Sequence, residues 1–275
     1  MTRQRPLTKT HGGKYYLAPW IISHFPPVQK YDYYIEPCVG GGSILLNMPR
    51  HQHLGMVASD LNYRTIELLR VVRDCPQQLR DILSRLQYCK ETFQSLLHQT
   101  YQPYQPIRNA ARTYAVRRMS RGGLGRSFAW SNRQRGGKPG DVNAWNTSLQ
   151  NIISVSVKLV GVVLEHSDVF DVFATWQHSY NYSRRSLIYL DPPYLQTTRT
   201  VKKAYTYEFT QEQHERLAQL CNKLSSYIVI SGYMSDLYQK LYPAPKWRCV
   251  QKEMPNHASQ QKHKSKRIEC LWMNY

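Results

Sequence analysis

The chain has 275 residues, enough for one large domain or two small ones with a substantial core. Lys plus Arg number 37 against 18 Asp plus Glu, and the resulting charge of +19 argues against an acidic regulatory protein and calls for a polyanionic partner, most simply nucleic acid. A hydrophobic share of 41% rules out wholesale disorder, and 21 tyrosines supply planar rings suited to stacking on bases beside cations.

The first residues, MTRQRPLTKTHGGK, lack the apolar run of a secretory signal. The longest apolar-leaning stretch, Ile152 to Leu164, is broken by Ser154, Ser156 and Lys158. It is too short and too polar for the roughly 20 apolar residues that a bilayer span needs. The six cysteines form no C-x-x-C pair and read as reduced thiols of an intracellular protein, and the ten histidines show no metal spacing. A soluble, cytoplasmic protein with no membrane or metal partner is expected, with a monomer as the default state.

Along the chain, the spacing of residues 17, 20, 21 and 25 predicts a helix within Tyr15 to Phe25, following the Gly12-Gly13 break. Tyr31 to Ile35 predicts a strand that runs through Glu36-Pro37 into the Gly40-Gly41-Gly42 triplet, with a helix expected after it. His53 to Ser59 predicts a second strand ending at Asp60, and Ile66 to Val72 opens a helical region reaching about residue 120. From Pro103 to Gly140 the chain carries nine Arg or Lys residues and no Asp or Glu, so an anionic partner is expected against it. Ser186 to Leu190 predicts a buried strand ending in Asp191-Pro192-Pro193-Tyr194. Thr210 and Gln213 predict a capping box, followed by a helical face of Leu217, Leu220, Cys221 and Leu224. Tyr227 to Ser231 predicts a further strand, and Trp247 to Lys252 with Ile268 to Met273 an antiparallel pair at a sheet edge. His214, on the capped helix, reads as core.

This alternation predicts an α/β fold: a Rossmann-like, open, mostly parallel sheet with antiparallel edge strands, interrupted by a basic and mainly helical insert. Residues 1–72 and 160–275 are expected to form the sheet domain and 73–159 the insert. In such sheets ligands bind outside the carboxyl ends of the strands, where the glycine triplet, Asp60 and Asp191 all fall.

The chemistry concentrates at those three places. The glycine triplet lacks the G-K-[ST] of a phosphate loop and does not spell G-x-G-x-x-G, so it reads either as a plain turn or as backbone left bare for a ligand. Asp60, eighteen residues after Gly42, suits the ribose hydroxyls of an adenosine-containing ligand, which the glycine loop and acid at this spacing favour over the alternative, the cap of a helix starting at Asn62. Asp191-Pro192-Pro193-Tyr194 makes a rigid turn rich in acceptors and poor in amide donors beside an aromatic ring. Such a turn fits a planar substrate bearing an exocyclic amino group.

Taken together, Lys9-x-x-Gly12-Gly13-Lys14, Glu36-Pro37-x-x-Gly40-Gly41-Gly42-Ser43, Asp60-Leu61-Asn62 and Asp191-Pro192-Pro193-Tyr194 resemble the Dam-type adenine-specific DNA methyltransferases. The likeness covers residues 7–72 and 160–240. It implies S-adenosyl-L-methionine as cofactor, held by Thr10, Lys14, Glu36, Gly40, Gly42, Asp60, Asp168 and Asp191. Thr10 departs from the Trp usual in the family. The resemblance also implies that Asp191, Pro192, Pro193 and Tyr194 act on a base flipped out of duplex DNA, as part of a restriction-modification system or another DNA methylation role. Cys38 is out of place for a cytosine-C5 nucleophile. Phosphate and base contacts are expected from Arg117, Arg118, Arg121, Arg126, Arg133, Arg135 and Lys138, with Phe128 and Trp130 among them, and a second basic run at Lys262 to Arg267 is expected to touch backbone. Three other readings stay open: a cytosine-N4 DNA methyltransferase, an RNA base methyltransferase, and a DNA-binding relative without turnover.

Overall fold

A computed structural model describes residues 3–10, 12–131, 133–135, 137–178, 185–195, 197, 207–255 and 266–275. The chain divides into two compact units, one made of residues 1–22, 39–49 and 60–166, the other of 23–38, 50–59 and 167–275. The strands are β1 Tyr33–Glu36, β2 Gly55–Asp60, β3 Gln134–Arg135, β4 Lys138–Pro139, β5 Val162–His166, β6 Ser186–Leu190, β7 Tyr227–Tyr233, β8 Arg248–Pro255 and β9 Lys266–Met273. Seven of them form one sheet in the order β5-β2-β1-β6-β7-β9-β8, and β3 with β4 makes a short hairpin. β1 runs parallel to β2 and β6, and β6 parallel to β7, while β9 is antiparallel to both β7 and β8. This is the mixed, mostly parallel α/β sheet with an antiparallel edge that the strand and helix signals predicted.

The second unit carries the sheet's core. Every residue of β6 is buried, which is why its sequence is one continuous apolar run instead of an alternating one. Ile35, Val57, Phe173, Ile188, Leu190, Leu217, Ile228, Ile230 and Trp272 pack in one cluster. The helix Gln211–Lys223 begins with the capping box, in which Thr210 Oγ1 accepts from the Gln213 amide and the Gln213 side chain accepts from the Thr210 amide. It buries Leu217, Ala218, Cys221 and His214, and His214 lies with its Nδ1 3.1 Å from the Tyr238 hydroxyl, in the core as expected.

The first unit is mainly helical. After the short α1 Ala18–Ser23 come α2 Tyr63–Asp74, α3 Pro76–Ser84, α4 Lys90–His98, α5 Pro106–Met119 and α6 Gly140–Leu159. Asn62 caps α2 by accepting the Arg64 amide. α5 buries Ala110, Ala111, Tyr114, Ala115 and Met119, and the Tyr114 hydroxyl donates to Ser148 Oγ on α6 at 2.8 Å. Small residues on α5 allow the close helix packing into which Tyr114 and Trp145 are inserted.

One local expectation is corrected. The helix expected after the glycine triplet is a single 3-10 turn, Leu45–Asn47. Asn47 turns its side-chain amide back onto the Ser43 carbonyl, and Pro49 prevents further turns by restricting the residue before it. The first helix, Ala18–Ser23, lies within the expected span, with Pro26 and Pro27 following on its carboxyl side. Among the described residues, no helix is long and apolar enough to cross a membrane.

Candidate active site

In the first unit three segments converge. Gly40 and Gly42 have φ of +49° and +68°, a left-handed backbone that side-chain-bearing residues rarely adopt. A Cβ on Gly41 would stand 2.5 Å from Thr10 Oγ1, so the triplet is pressed directly against the segment around Thr10. Thr10 Oγ1 itself is buried with no hydrogen-bond partner among the described residues. Lys14 is buried and donates from Nζ to the Gly12 carbonyl at 2.9 Å.

Asp60 closes this group. Its Oδ2 accepts from the Gly40 amide at 2.9 Å and its Oδ1 from the Asn62 amide at 2.8 Å. One carboxylate therefore ties the glycine loop to the start of α2. Each carboxylate oxygen has a second lone pair, so acceptor capacity remains for a ligand. Burial pushes the Asp60 carboxyl above the usual carboxylate range, opposed by the two amide hydrogen bonds and by the charges of Arg117 and His166. The cap expected of Asp60 is Asn62 instead, and Asp60 holds the Asn62 amide while staying partly exposed.

In the second unit Asp191 follows directly on β6. Its Oδ1 accepts from Ser231 Oγ on β7 at 2.8 Å. The Tyr189 hydroxyl lies 3.1 Å from the same serine oxygen. Pro192 is buried and Pro193 half-buried, and neither has an amide hydrogen to donate. Tyr194 is 4% exposed; its hydroxyl donates to Glu269 on β9, and its ring meets Tyr233 edge-on with centroids 4.7 Å apart. Burial, followed by the negative charges of Asp191 and Glu269, pushes the Tyr189 and Tyr194 hydroxyls up, so both remain protonated donors. Glu36 is buried on β1, with its Oε2 accepting from the Tyr34 hydroxyl at 2.6 Å. Asp168 accepts the Phe170 amide at 2.8 Å and so stands at the entrance to the helix Val169–His178.

The basic segment divides into inward and outward arginines. Arg118 donates to the carbonyls of Pro6 and Leu7, and Arg117 donates from Nη2 to Thr65 Oγ1 at 2.8 Å. Both are held inside the unit, and Arg117 shares the surroundings of Asp60. Arg121, Arg126 and Arg133 stand towards solvent. Arg135 and Lys138 are paired in the β3–β4 register. Phe128 stacks on the exposed Trp130 and touches Tyr88 and Phe93, which anchor it in the helical packing. Residues 262–265 of the second basic run lie outside the described residues.

The sequence reading missed Ser231, Glu269 and Tyr34, each of which touches a predicted site acid or aromatic residue. Ser231 alone carried a faint signal, as a hydroxyl inside the buried apolar run Tyr227–Tyr233.

Residues 11–254 match the model of the D12 class N6 adenine-specific DNA methyltransferases. A type II methyltransferase, M.MjaIII of Methanocaldococcus jannaschii, is 26% identical and the alignment covers 98% of this chain and 99% of its own. A second type II methyltransferase, M1.LlaDCHI of Lactococcus lactis subsp. cremoris, is 25% identical over 86% of this chain and 84% of its own. The DNA adenine methylase of Escherichia coli K12 is 25% identical over 91% and 88%. Among solved structures, the rRNA methyltransferase AviRa of Streptomyces viridochromogenes gives a TM-score of 0.40 at 13% identity over 93% of this chain and 82% of its own, too loose a likeness to carry an argument. With the family model spanning the glycine triplet, Asp60 and the Asp191–Tyr194 turn alike, this chain belongs to the D12 class of N6 adenine-specific DNA methyltransferases.

Proposed function

We propose that the protein transfers a methyl group from S-adenosyl-L-methionine to the N6 amino group of an adenine flipped out of a specific duplex DNA sequence. The observation that carries this reading is Asp191: a carboxylate at the end of a fully buried parallel strand, held by Ser231 and followed by two residues without amide donors. An adenine amino group donates two hydrogen bonds, and its lone pair is delocalised into the ring. Acceptance of those protons by Asp191 and a carbonyl of the proline turn favours a more pyramidal, more nucleophilic nitrogen. The bound cofactor supplies a methyl group made electrophilic by its sulfonium charge. Positioning and electrostatics carry the remaining work, and no covalent enzyme intermediate is needed.

The residues suit that cofactor. The left-handed turn at Gly40 and Gly42 is packed against Thr10 and Leu46, Asp60 offers ribose hydroxyls an acceptor, and Thr10 has a buried hydroxyl without a partner among the described residues. In this reading Lys14, Glu36 and Asp168 complete the cofactor set, and Tyr194 borders the base. Residues 73–159 serve as the target-recognition insert, where DNA contact falls to Arg121, Arg126, Arg133, Arg135 and Lys138. Arg117 and Arg118, whose donors are engaged within their own unit, are assigned to holding the segment around Thr10 and the start of α2. Removing a paired base from the duplex costs a few kcal/mol, which contacts to the extruded base must offset.

Incubation with methyl-labelled cofactor and either duplex DNA or total RNA, followed by mass spectrometry of nucleosides, tests the reading. N6-methyladenine in DNA is expected. N4-methylcytosine, or label confined to RNA, would overturn the base or the polymer.

A further inference from the structure

Within β7 the hydroxyl of Ser231 has no solvent exposure, and β6 carries near its end a tyrosine, Tyr189, that is 1% exposed. Buried hydroxyls must find partners, and these two find each other and Asp191. Ser231 Oγ lies 2.8 Å from Asp191 Oδ1, 3.3 Å from the Leu190 carbonyl and 3.1 Å from the Tyr189 hydroxyl. A serine has one hydrogen to donate, and the nearest of these acceptors, and the charged one, is the carboxylate. The phenol of Tyr189 then donates to the serine oxygen. The strand register explains the placement: Tyr189 pairs with Val229 and Leu190 with Ile230, so Ser231 follows alongside Asp191.

We infer that Ser231 and Tyr189 are positioning residues for Asp191, forming a directed chain from the Tyr189 hydroxyl through Ser231 Oγ to Asp191 Oδ1 that sets the rotation of the carboxylate toward the target amino group. The inference rests on the proposed role of Asp191 as acceptor of that amino group. The terminal torsion of an aspartate is broad, so an unheld carboxylate samples many orientations. The hydrogen bond from Ser231 to Oδ1 narrows that range, and misplacement by a fraction of an ångström is enough to slow a reaction that depends on positioning. Because both hydroxyls are shielded from water, a deleted link is not replaced by solvent. Both residues are buried and act through Asp191.

The test compares Ser231→Ala, Ser231→Thr, Tyr189→Phe, the double variant Tyr189→Phe/Ser231→Ala and Asp191→Ala with the wild type. For each, kcat and KM for DNA, affinity for S-adenosylhomocysteine and thermal unfolding are measured. Ser231→Ala should lose roughly 10–100-fold in kcat, as expected for a hydrogen bond to a charged group, with KM and cofactor affinity little changed and thermal stability lowered because the buried Tyr189 hydroxyl loses its partner, a loss that the double variant should relieve. Ser231→Thr, which keeps the hydroxyl, should recover most of the rate. Tyr189→Phe should lose less, and the double variant should be no slower than Ser231→Ala, because the two links act in series. Wild-type kcat in Ser231→Ala beside an inactive Asp191→Ala would overturn the inference and leave the function standing. So would losses that simply add in the double variant, or a rate loss in Ser231→Thr equal to that of Ser231→Ala. Full activity in Asp191→Ala would instead overturn the functional reading itself.

Discussion

Two aspartates stand at the carboxyl ends of two parallel strands, and they are held in opposite ways. Asp60, in the first unit, is fixed by main-chain donors, the amides of Gly40 and Asn62. Asp191, in the second, is fixed by a side-chain hydroxyl. A carboxylate gripped by backbone keeps its place whatever side chains surround it, and is displaced only when the path of the chain changes. One held by a serine hydroxyl is disturbed when a single oxygen is removed. The proposed cofactor acid is therefore robust to side-chain change and sensitive to glycine substitution. The proposed catalytic acid has the reverse profile.

That contrast is broken most severely by Asp191→Ala. Methyl transfer should fall by roughly 10²–10³-fold or more, the order seen when a single preorganised group at a reaction centre is deleted. DNA affinity, measured by fluorescence anisotropy, should stay near that of the wild type. A parallel loss of folding would assign Asp191 a structural role instead.

Next in size is Gly41→Ala. The new Cβ meets Thr10 Oγ1 at 2.5 Å, and such overpacking costs about 1–3 kcal/mol. Titration calorimetry with S-adenosylhomocysteine should show weakened binding, and adding Thr10→Ala, which removes the clashing oxygen, should restore part of it. Equal affinity in wild type and Gly41→Ala would show that the triplet is only a turn.

Charge reversal separates the outward from the inward arginines by a smaller effect. Arg121→Glu with Arg126→Glu should weaken DNA binding and flatten the plot of log affinity against log salt by about 0.9 for each phosphate no longer neutralised. Arg117→Met should leave that slope alone and lower thermal stability, since its guanidinium donates to Thr65 inside the unit. A slope change in Arg117→Met and none in the outward pair would exchange their roles.

The smallest effect concerns pH. Burial raises the Asp60 carboxyl, and it is the anion that best accepts from ribose hydroxyls. As pH falls, Asp60 takes up its proton earlier than an ordinary surface aspartate would, so cofactor affinity should begin to drop at a correspondingly higher pH. Asp60→Asn should bind more weakly at neutral pH and lose that acid limb. An unchanged acid limb in Asp60→Asn would place the titrating group elsewhere.

What could be read in the sequence followed from local physics. Ser186 to Leu190 was legible to the residue because a strand buried on both faces must be apolar throughout, and Thr210 with Gln213 because a capping box joins near neighbours. The positions of Asp60 and Asp191 were legible because each stands where a strand ends. What escaped depended on the meeting of distant segments. Ser231 acquires its meaning only when β7 lies beside β6, forty residues away from Asp191 in sequence. Arg117 and Arg118 look like their basic neighbours in one dimension, and only the packing of α5 turns them inward to Thr65, Pro6 and Leu7. The expected helix after Gly42 failed because Pro49 leaves room for one turn alone.

The most direct test is single-molecule sequencing of DNA from a bacterial host free of its own DNA methylases that expresses either the wild-type chain or Asp191→Ala. N6-methyladenine at one recurring sequence in the wild-type sample, and at background level with Asp191→Ala, is the predicted result. N4-methylcytosine at that sequence, or N6-methyladenine undiminished in Asp191→Ala, would contradict the proposed chemistry.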